Sequence, residues 1–341
     1  MKSVILHAII LAFINFSLTA NTLSANPSDS IQKNTAVMVK FGSSITAAEL
    51  KTHLYTFASD EFEGRYTGEP GQKKAAEYLK NYYTSQEISS PFGGADYFQE
   101  IPTEHLRPSI KPSENVVGFI KGSHFPDEVI VISAHYDHVG KRDGKIYNGA
   151  DDDGSGTVAI LEIAEAFKNA ANQGKFPKRS ILFLHVTGEE RGLLGSKYYV
   201  KFPIFPLEKT VVNLNIDMIG RVDEAHKNNP DFVYLIGSNR LSTELHDLSE
   251  SVNERFTKLT LDYRYNDEND PNRFYYRSDH YNFAKNNIPV IFYFNGVHED
   301  YHRATDTPDK INYDLLQKRT QLIFYTAWEI ANRAERIKVD D

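Results

Sequence analysis

Cysteine is missing from all 341 residues. That excludes a disulfide framework, a Cys-ligated metal and a thiol nucleophile, so any metal must be held by His, Asp or Glu. Runs of positive charge are missing as well. The chain has 38 Lys and Arg against 46 Asp and Glu, a formal net charge of −8, and no basic stripe. This argues against nucleic acid and anionic membranes as partners. Beyond the N-terminus no stretch approaches the roughly 18 apolar residues of a membrane span, and there is no repeat or low-complexity tract. What remains is a chain 40% hydrophobic and 25% charged, ordinary for a globular protein with one substantial core.

The first residues read as an export signal. Lys2 precedes an apolar run from Val4 to Phe16, and small or polar residues follow through Thr22, Ser24 and Ala25. The run is short for a spanning helix and its charge lies on the N-terminal side, as in a secretory signal peptide over residues 1–25. The mature chain is then expected to start between Thr19 and Pro27, in the periplasm or outside the cell, free of the membrane. Residues 26–45 read as a polar, loose leader, and 46–341 as one domain.

Within that domain Thr46 and Glu49 form a capping box ahead of Leu50, Leu54 and Phe57. A second helix fits Gln72–Tyr83, with an ordered loop over Ser59–Arg65 between them. Val116–Ile120 and Val129–Ser133 read as strands, and the Gly122–Pro126 turn between them could make a hairpin. Strands at Ile181–Val186, Val211–Ile216, Val233–Ile236 and Val290–Phe294 alternate with helices at Ser155–Asn172, Leu241–Phe256 and Tyr313–Ala334, the last capped by Asn312. Short apolar strands alternating with helices predict an α/β fold whose largely parallel sheet is covered on both faces.

The chemistry-bearing stretches share one position. His135-Tyr136-Asp137, Glu189-Glu190, Asp217 and His302 each follow a strand, and Asp151-Asp152-Asp153 leads into the Ser155 helix at the same edge. In open α/β sheets, ligands bind beyond the carboxyl ends of the strands. Each stretch alone has a plainer explanation: the Asp triplet could cap a helix, and a lone His could be a satisfied core residue. Five oxygen and imidazole donors at strand ends are better explained by a two-metal site. Zinc takes about four such ligands, and two cations about 3.5–4 Å apart require an anion between them. Asp137 and Asp306 are candidates to orient the imidazoles, and Glu189 and Glu190 can divide base and ligand between them.

These motifs, with Gly149–Gly156, Gly188–Ser196, Asn215–Met218, Ser278-Asp279-His280 and Tyr301-His302, resemble the M28 family of zinc peptidases, dominated by aminopeptidases. The resemblance runs from about His135 to Asp306. It implies a three-layer fold with a mixed, mostly parallel eight-stranded sheet between helices, and two zinc ions per chain. His135 and Asp217 would hold one zinc, Glu190 and His302 the other; Asp152 would bridge them and Glu189 would be the general acid/base. Tyr275 and Tyr301 both match positions where the family places a phenol near the developing oxyanion. The substrates implied are peptides with a free N-terminus. A glutaminyl-cyclase-like transferase with one zinc, and a binding module without catalysis, are the rival readings on the same fold.

Overall fold

The computed structural model describes residues 27–340, with side chains from Thr35 onward; the expected export signal lies outside the described residues. Two compact units divide after Val37. Of the first, the described part is helical, within α1 (Pro27–Gly42). The second, from Met38, holds the sheet and all residues considered below.

The segment expected to be a loose leader is therefore helical in large part. Met38, Phe41 and Ile45 recur at helical spacing and are buried. Phe41 stacks on Trp328 with ring centroids 6.1 Å apart, and the carbonyls of Gly42 and Ile45 each accept from Gln321 Nε2 at 3.2 Å. Apolar burial of this stripe outweighs its polar composition.

Next come α2 (Ala47–Phe57) and α3 (Pro70–Ser85). The Thr46 hydroxyl accepts from Glu49 N at 3.2 Å and caps the helix as expected, but the Glu49 carboxylate takes the Thr46 hydroxyl proton at 2.6 Å instead of the Thr46 amide, so the reciprocal half of the capping box is not made. The strands are β1 (Phe98–Ile101), β2 (Ser113–Ile120), β3 (Phe125–His135), a small pair β4 (Gly140–Arg142) and β5 (Lys145–Tyr147), β6 (Arg179–Val186), β7 (Thr210–Ile216), β8 (Phe232–Ile236), β9 (Thr260–Asp262) and β10 (Val290–Phe294). Between them lie α4 (Gly156–Asn172), α5 (Leu194–Lys201), α6 (Thr243–Phe256) and α7 (His280–Ala284), and α8 (Tyr313–Asn332) closes the chain.

Eight strands form one mixed sheet in the order β1-β2-β6-β3-β7-β10-β8-β9. Its centre, β6-β3-β7-β10, is parallel throughout, so four carboxyl ends reach the same edge. The flanks are antiparallel except for β8–β9. Every residue of β6, β7, β8 and β10 is buried, as expected for a sheet covered on both faces. α4 and α8 cover one face, with α2, α3 and α6 packed against them; α5 and α7 cover the other.

The β2–β3 hairpin does not form. β6 lies between the two strands, antiparallel to β2 and parallel to β3. The connecting turn is tied to the lead-in of β6: Ser123 N donates to Pro177 O at 2.9 Å and Phe125 N to Lys178 O at 2.8 Å. Pairing with a strand some fifty residues onward satisfies both partners, which a local turn signal cannot reveal.

Candidate metal centre and active site

His135 ends β3 and Asp217 directly follows β7. Glu189 and Glu190 sit in the turn between β6 and α5, which folds back tightly: Gly195 N donates to Thr187 O at 2.7 Å and Leu193 N to Glu189 O at 2.9 Å. A Cβ on Gly195 would lie 2.3 Å from Asn115 Oδ1 and 2.5 Å from Thr187 O, so only glycine permits this closure. Asp152 lies in the tight turn Ala150–Ser155 before α4. Gly149 starts that turn at φ 54°, where a Cβ would meet Asp152 O at 2.3 Å. His302 and Met218 both have positive φ, 55° and 61°, a conformation uncommon for non-glycine residues.

The side chains meet around Asp152. Its Oδ1 is 3.1 Å from His135 Nε2, which is 3.6 Å from Asp217 Oδ1. Its Oδ2 is 3.0 Å from His302 Nε2, which is 3.2 Å from Glu190 Oε1. One carboxylate thus faces two imidazoles, each of which faces a second carboxylate. Asp153 also comes near His135 and Asp217; its Oδ1 accepts from the amides of Gly156 at 2.9 Å and Met218 at 3.1 Å, and its buried Oδ2 has no hydrogen-bond partner among the described residues.

Electrostatics follow from this crowding. Burial would raise the Asp152 carboxyl, yet His135, His138 and His302 outweigh it and hold it well below the usual range. Burial likewise opposes charge on His302, but Asp152 and Glu190 raise it to about 10. Glu189 is pushed well above its ordinary value, first by burial and then by Asp217, Asp279 and Glu190. The attraction that draws protons onto these imidazoles also favours cations between them, since proton and metal compete for the same lone pairs. Close as they are to one another, Asp152 Oδ2, Glu190 Oε1 and His138 Nδ1 make no well-aligned hydrogen bond among the described residues, and His138, Asp152 and Glu190 each bring one donor atom to a common point. Buried donors gathered in this way fit a metal better than packing.

A relay of buried polar groups orients Asp217. Asn213 Nδ2 donates to Ser133 Oγ at 2.8 Å, Ser133 to Asn215 Oδ1 at 2.7 Å, Asn215 Nδ2 to Ser278 Oγ at 2.9 Å, and Ser278 to Asp217 Oδ2 at 2.6 Å. Asp217 Oδ1 is left for His135. The two carboxylates expected beside the imidazoles act differently. His135 Nδ1 meets the Asp137 backbone carbonyl at 3.0 Å, with Asp137 Oδ1 3.8 Å away. The Asp137 side chain instead receives Thr67 at 2.8 Å and Glu189 N at 3.1 Å. Asp306 accepts from the amides of Asp151 and Asp152 at 3.0 and 3.2 Å, so it positions the Asp152 backbone rather than His302.

The two tyrosines separate. Tyr301 lines the pocket with His135, Asp152, Glu189 and Asp217 and stacks on His302 at 3.9 Å between centroids. Tyr275 packs in the core under Arg240, 4.0 Å from its ring. Met218, Phe274, Phe292, Phe294 and Val297 give the pocket an apolar wall, with Arg277 and Ser278 as its further polar members. One residue at the centre was missed from the sequence. His138 is fully buried, with Nδ1 2.9 Å from Glu190 Oε1. Its signal is a second imidazole three residues past His135, in the loop beyond the strand end.

The model of peptidase family M28 matches residues 115–327. The chain belongs to that family. Leupeptin-inactivating enzyme 1 of Streptomyces exfoliatus is 25% identical over 316 residues, covering 84% of this chain and 62% of that protein. In seven further curated relatives the shared stretch is 8% to 22% of the relative's length, so the chain spans only part of the M28 proteins it matches. Among solved structures, Legionella pneumophila LapA aminopeptidase superposes with a TM-score of 0.67 at 21% identity, over 89% of this chain and 76% of that one. Bacteroides thetaiotaomicron glutaminyl cyclase superposes with a TM-score of 0.64 at 16% identity, over 83% and 98%. At these identities the likeness is one of fold: the mixed eight-stranded sheet between helices, as the M28 resemblance implied.

Proposed function

We propose that this M28 protein is an exported two-zinc aminopeptidase. His135 and Asp217 would hold one zinc, Glu190 and His302 the other, with Asp152 between them. The observation that carries the reading is the placement of Asp152, whose two oxygens face separate imidazole–carboxylate pairs at 3.1 and 3.0 Å. Zinc held there would supply Lewis acidity, lowering the pKa of a water and polarising the scissile carbonyl.

The chain's own groups position the substrate and move the proton. Glu189, at the pocket wall, takes the proton of the attacking water and returns it to the leaving amine. Tyr301 donates its hydroxyl toward the developing oxyanion. Burial, then the charges of Asp152, Asp217 and Glu190, raise its pKa and keep it protonated. The apolar wall receives the N-terminal side chain, which favours bulky aliphatic or aromatic residues. A free α-amine is attracted by the surrounding carboxylates, an argument that leans on family analogy.

The same reading places an export signal at residues 1–25, a leader to 45 and one catalytic domain over 46–341. Among the described residues no helix is long and apolar enough to cross a membrane. The one-zinc transferase shares the fold, but the second grouping of His302, Glu190 and Asp152 favours two metals. The test is zinc per chain by elemental analysis, beside hydrolysis of leucyl-p-nitroanilide and its N-acetyl derivative. Two zincs with cleavage of the free-amine substrate alone is expected. One zinc with no cleavage, or equal cleavage of both substrates, would overturn the reading.

A further inference from the structure

A second cleft opens beside the first, and its rim is basic. It shares Glu189, Arg277 and Tyr301 with the pocket described above and runs past Glu190 along the 191–197 turn, with a volume of about 450 Å³. That is within the range of small-ligand sites. Arg107, Arg191, Lys197 and Arg277 line it, in a chain whose net charge is −8. The two carboxylates present, Glu189 and Glu190, already have parts in the proposed chemistry.

Among the described residues the four cations have no carboxylate partner of their own. Lys197 Nζ donates to Gly192 O at 2.8 Å. Arg191 lies over the Tyr66 ring, 4.2 Å from its centroid, and its buried Nε has no hydrogen-bond partner. Arg277 lies over Phe274 at 4.7 Å. Arg107 passes so close to Gly192 that a Cβ there would sit 2.8 Å from its Nη2. Surface arginines and lysines usually find acidic neighbours in an acidic protein; this group converges on a cleft instead.

The position of Glu189 gives the cleft a direction. On one side of Glu189 lies the apolar pocket that receives the N-terminal side chain. The group that protonates the leaving amine stands between the two halves of a bound peptide, so the basic cleft faces the part after the scissile bond. We infer that this cleft receives a carboxylate on the leaving-amine side: the C-terminal carboxylate of a dipeptide, or the acidic side chain of a substrate's second residue. The inference rests on the aminopeptidase reading above. Arginines and a lysine without acidic partners are the chemistry that recognises a carboxylate, through charge-assisted hydrogen bonds that shorten and strengthen on contact.

The experiment compares zinc-loaded protein on Leu-Gln-amide, Leu-Glu-amide and Leu-Gln with a free carboxylate, at low and high salt. At least one carboxylate substrate should exceed Leu-Gln-amide in kcat/KM by about tenfold to a hundredfold, chiefly through KM. The gap should narrow at high salt. Preference for free Leu-Gln alone assigns the cleft to dipeptides; preference for Leu-Glu-amide alone assigns it to an acidic second residue. The Arg107→Gln/Lys197→Gln double variant should lose the preference and keep its rate on Leu-Gln-amide. Equal rates on all three substrates would overturn the inference while leaving the aminopeptidase reading intact. If nothing is cleaved, the aminopeptidase reading fails, and calorimetric binding of the same ligands to Glu189→Gln decides the cleft separately. Equal Kd values for Leu-Glu-amide and Leu-Gln-amide, with no gain for free Leu-Gln, would then count against it.

Discussion

The Ser278 hydroxyl donates to Asp217 Oδ2 at 2.6 Å while accepting from Asn215 at 2.9 Å. The serine therefore fixes which oxygen of Asp217 faces His135. Ser278→Ala removes that bond without changing any proposed ligand. Zinc affinity, measured by competition with a chromogenic chelator, is expected to fall about 10- to 100-fold, the usual cost of losing an outer partner of a ligand. Unchanged affinity would show that the relay does not support the metal.

How far the sequence reached can be argued from particular residues. His135, Glu189, Glu190, Asp217 and His302, which the structure brings together, could be gathered as candidates because donor type and strand-end position are both local properties; the choice of Asp152 within its triplet, and of separate roles for Glu189 and Glu190, comes only from the M28 resemblance. The central strands were legible as apolar runs. The place of β6 between β2 and β3 was not, because strand order depends on partners far apart in the chain. Asp306 is near His302 in sequence, whereas the fold turns it to the amides of Asp151 and Asp152. Tyr275 and Tyr301 have equal standing in sequence and differ only in what surrounds them. The short edge strands β1 and β9, four and three residues long, carry too little periodicity to be read.

The adjacent glutamates should separate in the laboratory. Glu189→Gln is expected to keep its zinc while kcat falls by roughly 10²–10⁴, because an amide cannot accept the proton. Glu190→Gln is expected to lose zinc, since its Oε1 is the oxygen 3.2 Å from His302. Metal content and kcat measured on both at matched zinc saturation check the division. Near-native kcat in Glu189→Gln would require another base.

Arg65 ties the loops around the site together. Fully buried, it donates to the carbonyls of Tyr136 at 3.0 Å, Phe57 at 3.3 Å and Gly149 at 2.8 Å, and also to Asn148. Lysine offers its donors from a single point and cannot reproduce this fork. Arg65→Lys is expected to destabilise by about 3 kcal/mol or more through unsatisfied buried carbonyls. Urea midpoints provide the measurement, and a loss under about 1 kcal/mol would show that water or local shifts replace the fork.

Away from the metal centre, Glu162 on α4 should give stability a pH dependence of its own. It is buried at 3% exposure, and burial, with Glu49 and Glu165 adding repulsion, raises its carboxyl to about 8. His53, 3.5 Å away, is held below its ordinary value, chiefly by burial, so it is neutral folded and largely neutral unfolded above pH 7. Unfolded, Glu162 titrates near 4.5, so between that value and about 8 the folded state binds the extra proton. Stability contributed at this site therefore falls as pH rises through the window and levels off above about 8. Glu162→Gln keeps the shape and removes the titration. From pH 7 to 9 the wild type is expected to lose about 1 kcal/mol relative to the variant. Parallel urea titrations of both proteins at the two pH values measure the difference. A constant gap between them would show that Glu162 ionises in the fold as readily as in the unfolded chain.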